Sequence, residues 1–293
     1  MILVVGATGL LGREVCRRLL DNGDPLRALA RPGSSYQREL AVGGAEIEHG
    51  DLKDRPAIEV ACRGVRTVVS TATATASYRK GDSLRAVDLH GQLDLVRSAA
   101  AAGVERFIYV SISPNLPGSC ALVHYKRQVE NALRESGMAW TILQPGAFME
   151  IWLGPLVGWD IEKGRARIIG GGEAQVSYVS LQDVAAFAVA ATHDDSMSRQ
   201  TIPVGAPQPT SPNEVLRICE ETTGRPFKVQ RLPAAPFRLG ARVLRPFNER
   251  IHTLLALTAA IAEGDVLDML PVQEAFRIPL TSVAGFAREA VHR

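Results

Sequence analysis

The chain has 293 residues, with 33 Lys+Arg against 31 Asp+Glu, a net charge of +2 when the histidines are neutral. So even a balance makes no strong single-sign field, and it argues against a nucleic-acid or anionic-membrane surface as partner. Apolar residues are 46% of the chain and aromatics 5%, which supports a sizeable, mainly aliphatic core and excludes a disordered chain.

Length allows one large domain or two smaller ones. Cys16, Cys62, Cys120 and Cys219 are far apart, form no Cys-x-x-Cys pair and have no histidine cluster beside them. They read as free thiols in a reducing compartment, with neither a metal site nor a disulfide framework. The opening Met1-Ile2-Leu3-Val4-Val5 has no basic residues before it, and its apolar run stops at Gly6. The longest later apolar run, 254–262, is far short of the roughly 20 residues a membrane helix needs. The expectation is a soluble cytoplasmic protein.

In chain order, 2–5 is a short apolar strand, followed by Gly6-Ala7-Thr8-Gly9-Leu10-Leu11-Gly12 and a helix ended by Asp21-Asn22-Gly23. Strands follow at 25–30 and 45–48, a helix from Asp54 as its cap to about Cys62, and a strand at 65–70. A long helix is expected over 83–102, a strand at 106–111, a helix over 121–136 and a strand at 140–144. Short β-rich runs alternating with helices predict an α/β fold, a Rossmann-type doubly wound parallel sheet. After Pro145 the rhythm loosens. Residues 165–179 read as strand, Gly-rich turn and strand; Asp183 caps an alanine-rich helix; further elements are a strand at 201–204, a helix over 212–222 and an apolar helix over 251–262. The domains expected are 1–150, binding a dinucleotide, and 151–293, a smaller α/β substrate or partner lobe interleaved with the end of the main sheet.

The chemistry begins at the first turn. Gly6, Gly9 and Gly12 stand at the Gly-x-x-Gly-x-x-Gly spacing between a strand and a helix. The first suits a tight turn, the second a close approach to a pyrophosphate, and the third helix–sheet packing, while the helix start offers unpaired N–H groups to phosphate. Arg31 ends the second strand, where NAD-specific sites carry an acid, so it suits a 2′-phosphate and NADP(H) over NAD(H); the bland alternative is a solvated surface arginine. Arg13 is a further phosphate candidate or an ordinary helix arginine, and Lys53 and Arg55 are unspecific. Asp51 can accept from an adenine amino group with Leu52 against the ring, or form a local Asx turn. Ser70 and Thr71 lie at the carboxyl end of a strand, where parallel sheets bind ligands. The small-residue loop 74–81 carries Tyr78 and Arg79, which read equally as surface residues.

The sequence resembles atypical short-chain dehydrogenases/reductases of the NmrA-like or isoflavone-reductase-like type. The resemblance rests on Gly6-Ala7-Thr8-Gly9-x-x-Gly12, Gly50-Asp51-Leu52, the stretch 103–111, Lys126 with Glu130, the stretch 140–146, the stretch 179–185 and the closing 279–283. It implies cofactor contacts from Gly6, Thr8, Gly9, Leu10, Leu11, Gly12, Arg31, Asp51, Leu52, Ser70, Thr71, Lys126, Gln144, Pro145 and Gly146. Classical members carry Tyr-x-x-x-Lys with a serine. Here Lys126 matches the lysine, but Leu122 takes the tyrosine's helix face, and Tyr125 is rotated away from it. Lys126 therefore reads as a ribose contact and direct proton-transfer residue, or as a solvated i,i+4 partner of Glu130. Ser111, and Ser113 beyond it, lie near the expected nicotinamide; Ser111 reads as a carbonyl-binding catalytic serine or as a local cap.

Phe148 and Trp152 begin an apolar group fit for a substrate wall or for core packing. His49, His90, His124, His193, His252 and His292 show no metal spacing, and no Gly-x-Ser-x-Gly or Gly-Lys-Ser/Thr motif is present. Three readings stand: an NADPH-dependent oxidoreductase passing hydride to a small apolar carbonyl, enone or quinone; an NADP(H)-binding sensor or regulator with a protein partner; and an assembly factor or scaffold. Each is expected as a monomer or homodimer, with no nucleic acid, membrane or metal.

Overall fold

The structure is a computed structural model that describes residues 1–34, 36–77 and 79–291; Tyr78 and His292 lie outside the described residues. The first elements are β1 (Ile2–Val5), α1 (Leu10–Asp21), β2 (Leu26–Ala30), α2 (Gln37–Val42), β3 (Glu46–His49), α3 (Arg55–Ala61) and β4 (Thr67–Ser70). A π-helical segment, Arg85–Gly91, leads into α4 (Gln92–Ala101), β5 (Arg106–Val110), α5 (Ala121–Glu135) and β6 (Ala139–Pro145). Then come β7 (Ala147–Phe148), α6 (Met149–Trp152), β8 (Arg165–Ile169), β9 (Tyr178–Val179), α7 (Leu181–His193) and β10 (Gln200–Val204). The chain closes with α8 (Pro212–Thr223), β11 (Lys228–Leu232), α9 (Ala235–Leu244), α10 (Glu249–Glu263), α11 (Leu270–Phe276) and α12 (Val283–Val291).

The chain forms two compact units. The first is Met1–Ser111, Ala121–Leu143 and Val184–Ile202; the second is Ile112–Cys120, Gln144–Asp183 and Pro203–Arg293. The main sheet has seven strands in the order β10-β6-β5-β4-β1-β2-β3. The pairs from β6 to β3 are parallel, as the alternation of strands and helices predicts. The order reverses direction at β1/β4, which is where open α/β sheets bind ligands. Burial explains the composition of the strands. β1 (ILVV) and β4 (TVVS) are central and wholly buried, so they need apolar or small residues on both faces. β3 (EIEH) is an edge strand; its exposed Glu46 and His49 discourage edge-to-edge pairing.

Several expectations are corrected. The single helix over 83–102 is instead a π segment followed by α4. Residues 165–179 form the expected strand, Gly-rich turn and strand, as β8, 170–172 and β9, but the two strands do not pair with each other. β8 pairs in parallel with β11, and β9 pairs in parallel with β7, so each strand finds a partner far away in sequence. Asp54 stands at the N-cap of α3 but makes no side-chain capping bond. Asp183 is not the cap of α7. It lies inside the first turn, where Ser180 Oγ accepts from its N–H at 3.0 Å, while its carboxylate accepts from Thr281 N at 2.7 Å and Thr281 Oγ1 at 2.8 Å. The carboxylate ties the segment before α12 to α7.

In the second unit, one core gathers Met149, Trp159, Ile168, Tyr178, Val215 and Phe286. The four cysteines are buried, and none is joined in a disulfide. Among the described residues no helix is long and apolar enough to cross a membrane, and no cluster of His, Cys, Asp and Glu is fit to hold a metal ion.

Candidate functional site

In the first unit the three glycines of the loop are held to different degrees by the protein's own sterics. Gly6 has φ +88°, and a Cβ there would stand 2.7 Å from both Ala72 N and Thr71 Oγ1. Thr71, directly after β4, is thus brought against the loop. A Cβ on Gly12 would fall 2.1 Å from Gly6 O, so glycine is required for α1 to pack on its own loop. Gly9 differs. It is the N-cap of α1 in extended conformation, and among the described residues its Cβ would meet only Gly6 O, at 3.2 Å. That is a tighter contact than an ordinary one but far looser than those at Gly6 and Gly12, so the protein's own packing constrains Gly9 least of the three.

The α1 start is ready for an anion. Gly9 offers no side-chain cap, and the first turn carries no acid. Its early N–H groups and dipole then face outward. Thr8 is half-buried and its carbonyl accepts from Arg13 Nε at 2.9 Å. Arg13 also stacks 4.0 Å over the Tyr36 ring, which holds it at the mouth of the loop. Leu10 is 63% exposed beside the open side, whereas Leu11 is buried.

Arg31 leaves the end of β2 and pairs with Asp82 at 2.6 Å. Lys53 pairs with the same carboxylate and lies 3.5 Å from Asp51. Burial by itself would raise the Asp82 carboxyl, but hydrogen bonds from Lys53, Ser77 and Arg31 outweigh it and hold the group well below the usual carboxylate range. Asp51 Oδ1 accepts from Lys53 N at 2.9 Å, the local Asx geometry. Leu52 is buried, with its side chain against Gly91. Ser70 donates to Gln92 Oε1 at 2.9 Å, and Gln92 Nε2 in turn donates to Ala72 O at 2.9 Å, which fixes the strand end beside Thr71. Arg55 pairs with Glu59 on the surface.

The α5 face departs from a solvated ion pair. Lys126 and Glu130 are both buried. Lys126 Nζ donates to Val110 O at 3.0 Å and stands 5.1 Å over the Tyr109 ring. Burial is the largest influence on the ammonium and pulls it below the ordinary lysine range, with Asp88 and Glu130 pushing back and Arg127 adding to the fall. Glu130 accepts from Ser111 Oγ and from Arg127 Nη1, each at 2.5 Å, and from Arg134 Nη2 at 3.3 Å. The Ser111 proton is thereby committed to a carboxylate. Leu122 is buried at the tyrosine position, and no phenol stands there; Tyr125 is half-buried and His124 exposed.

In the second unit Gln144 and Pro145 are buried. Gly146 does not owe its identity to conformational freedom: a Cβ would stand 2.1 Å from Ser177 O, so close approach of two backbones demands it. Ser113 donates to Asp265 Oδ1 at 2.7 Å, and Asn115 Nδ2 donates to the same oxygen at 3.0 Å. Phe148 is half-buried on β7, whereas Trp152 lines an apolar cavity of about 180 Å³ with Leu156, Trp159, Tyr178, Phe237 and Leu255.

Asp82, Asp88 and Gln92 escaped the sequence reading. No local signal marks Asp82 or Gln92, since the cations Arg31 and Lys53 that Asp82 binds, and Ser70 and Ala72 that Gln92 binds, are far away in sequence. Asp88 sits in the π segment and accepts from Ala74 N at 2.9 Å. Only its place in an apolar helix hinted at burial.

Comparison with known proteins agrees with this architecture. The model of the NmrA-like family matches residues 1–270. The photosystem II assembly factor Ycf39 of Synechocystis is 31% identical over 94% of this chain and 85% of its own length. An NAD(P)H azoreductase of Xenophilus azovorans is 30% identical over 92% of each. The NADPH complex of the Escherichia coli quinone oxidoreductase QOR2 superposes with a TM-score of 0.78 at 21% identity, covering 99% of both chains, a likeness of fold. With its Rossmann-type parallel sheet and glycine loop, the chain belongs to the NmrA-like family.

Proposed function

We propose that this protein is an NADPH-dependent oxidoreductase that passes hydride to a small apolar carbonyl, enone or quinone. The observation that carries the reading is the Gly9 cradle: an uncapped helix start with no acid in its first turn, whose glycine the protein's own packing constrains less than Gly6 or Gly12. The residues fit a dinucleotide. Gly6, Thr8, Gly9, Leu10, Leu11 and Gly12 would hold the pyrophosphate, Arg31 the 2′-phosphate, Asp51 and Leu52 the adenine, and Ser70 and Thr71 the strand-end ribose region. Lys126 would bind the nicotinamide ribose; the family resemblance separately assigns Gln144, Pro145 and Gly146 to the cofactor, and the apolar character of Phe148 and Trp152 suits them to a substrate. When bound, the nicotinamide supplies the hydride.

The chain's own residues supply position and a proton. With Leu122 in place of a phenol, Lys126 Nζ is the titratable group offered on that face, and its lowered pKa brings it toward the range useful for proton transfer. In this reading Ser111 orients the Glu130–Arg127 pair through its committed hydroxyl. The relatives named for azo and quinone reduction support a conjugated, apolar acceptor.

Titration with NADPH and NADH by nicotinamide fluorescence, followed by a quinone and enone panel, tests the reading. NADPH binds and is oxidised only when an acceptor is present. Arg31→Ala weakens NADPH binding by about tenfold or more and leaves NADH nearly unchanged. Equal losses for both cofactors remove Arg31 from the phosphate site.

A second reading is an NADP(H)-binding sensor or assembly factor with little turnover. Leu122 at the tyrosine position and the similarity to Ycf39 favour it. Tight NADPH binding without acceptor-dependent oxidation selects it.

A further inference from the structure

Asp82 is the least expected residue around the phosphate-facing cations. Its side chain is only 1% exposed, although it belongs to a polar, glycine-containing loop. Arg31 Nη1 reaches it at 2.6 Å, and Lys53 Nζ and Ser77 Oγ donate to the same carboxylate. Asp51 is the second acid, with Oδ2 3.5 Å from Lys53 Nζ. Two cations are therefore matched by two carboxylates, so the cluster is neutral before any ligand arrives. Arg31 and Lys53 keep 35% and 25% of their side-chain surface exposed, so both can still be reached from solvent.

We propose that Asp82 is an internal counter-anion that competes with the 2′-phosphate for Arg31 and Lys53 and so sets how strongly the protein prefers NADPH to NADH. This rests on the reading of Arg31 as the 2′-phosphate ligand. The physical reason is charge balance. A phosphate ester gains from uncompensated cations. Here it meets cations already paired, and it stands close to a buried carboxylate that repels it. NADH has no phosphate at that point and pays no such penalty. A carboxylate acting only as a scaffold for the two cations would have the opposite effect, because its removal would disorder the phosphate ligands.

The test is Asp82→Asn, which keeps the size and one acceptor oxygen while removing the charge. Affinities for NADPH, NADH, 2′,5′-ADP and 5′-AMP are measured by calorimetry on the full chain, with circular dichroism as the check on folding. NADPH and 2′,5′-ADP bind roughly tenfold more tightly to the variant, while NADH and 5′-AMP stay within about twofold. Unchanged or weaker NADPH binding overturns the proposal. Asp82→Ser, which also removes the charge, gives the same shift and decides the matter if Asp82→Asn does not fold. Arg31→Ala separates the two levels of the argument. If it leaves NADPH binding intact, or the wild type binds neither cofactor, the phosphate-site reading falls. If it weakens NADPH as expected and Asp82→Asn fails to tighten it, Asp82 alone is wrong.

Discussion

At Gly9 and Gly12 the same residue type answers to different partners, and substitution separates them. Gly12→Ala places a methyl 2.1 Å from a backbone oxygen that cannot give way, so the first unit loses its fold, seen as a large drop in melting temperature. The Cβ of Gly9→Val meets only Gly6 O among the described residues, at 3.2 Å, a contact a small loop shift relieves, so the chain stays folded with a modestly lowered melting temperature while NADPH affinity falls by roughly a hundredfold or more. Retained affinity in folded Gly9→Val removes the cradle from the cofactor site. Lys126 is the second residue whose role is decided by surroundings. Its buried ammonium titrates below the ordinary lysine value of 10.5. Between the folded value and 10.5 the unfolded chain binds more protons, so stability rises with pH through that window. In Lys126→Met that rise is absent from denaturation curves taken across the alkaline range. In single-turnover assays Lys126→Met abolishes hydride transfer to the acceptor panel and weakens NADPH binding by only a few-fold. Equal loss of both makes Lys126 a ribose clamp alone.

Elements show where local chemistry suffices and where it does not. The helix α8 was legible from Pro212 at its first position, and the structure adds a capping box: Ser211 accepts from Glu214 N, and the Glu214 side chain accepts from Ser211 N at 2.7 Å. Ser211→Ala removes that box and lowers unfolding free energy by about 1 kcal/mol, read from urea denaturation. At α7 the acid in the first turn suggested a cap, yet Ser180 holds that place and Asp183 binds Thr281, nearly a hundred residues on. A capping rule recognises residue types within one turn and has no access to such a partner. The π segment before α4 was likewise unreadable, since its side-chain periodicity differs little from that of an α-helix over seven residues.

Across the whole molecule, burial decides reactivity and acid behaviour. The thiols of Cys16 and Cys219 are pushed up to about 12 and that of Cys62 to about 11 by burial, so these cysteines resist a thiol-specific disulfide reagent in the native state and react at once in denaturant. Rapid labelling of the native protein contradicts that burial. Asp82 acts in the opposite sense. Its folded pKa lies below the ordinary 3.8, so it contributes stability above that value and loses the contribution as pH falls below it. Acid denaturation of Asp82→Asn therefore has a shallower pH dependence below 3.8 than the wild type.

The parallel sheet and the glycine loop were determined by sequence alone, because strand runs, helix lengths and Gly spacing are local and each turn's sterics act within a few residues. So were the displaced tyrosine, since Leu122 and Lys126 share a helix face four residues apart, and the place of Arg31 at the end of β2. Tertiary structure decided what those residues touch. Arg31 and Lys53 meet Asp82 across gaps of 51 and 29 positions, Ser111 gives its proton to Glu130, and Gly146 exists for the backbone of Ser177. The physical reason is the same in each case: charge pairing, hydrogen bonding and steric exclusion depend on distance in space, and for these residues the chain's order does not encode that distance.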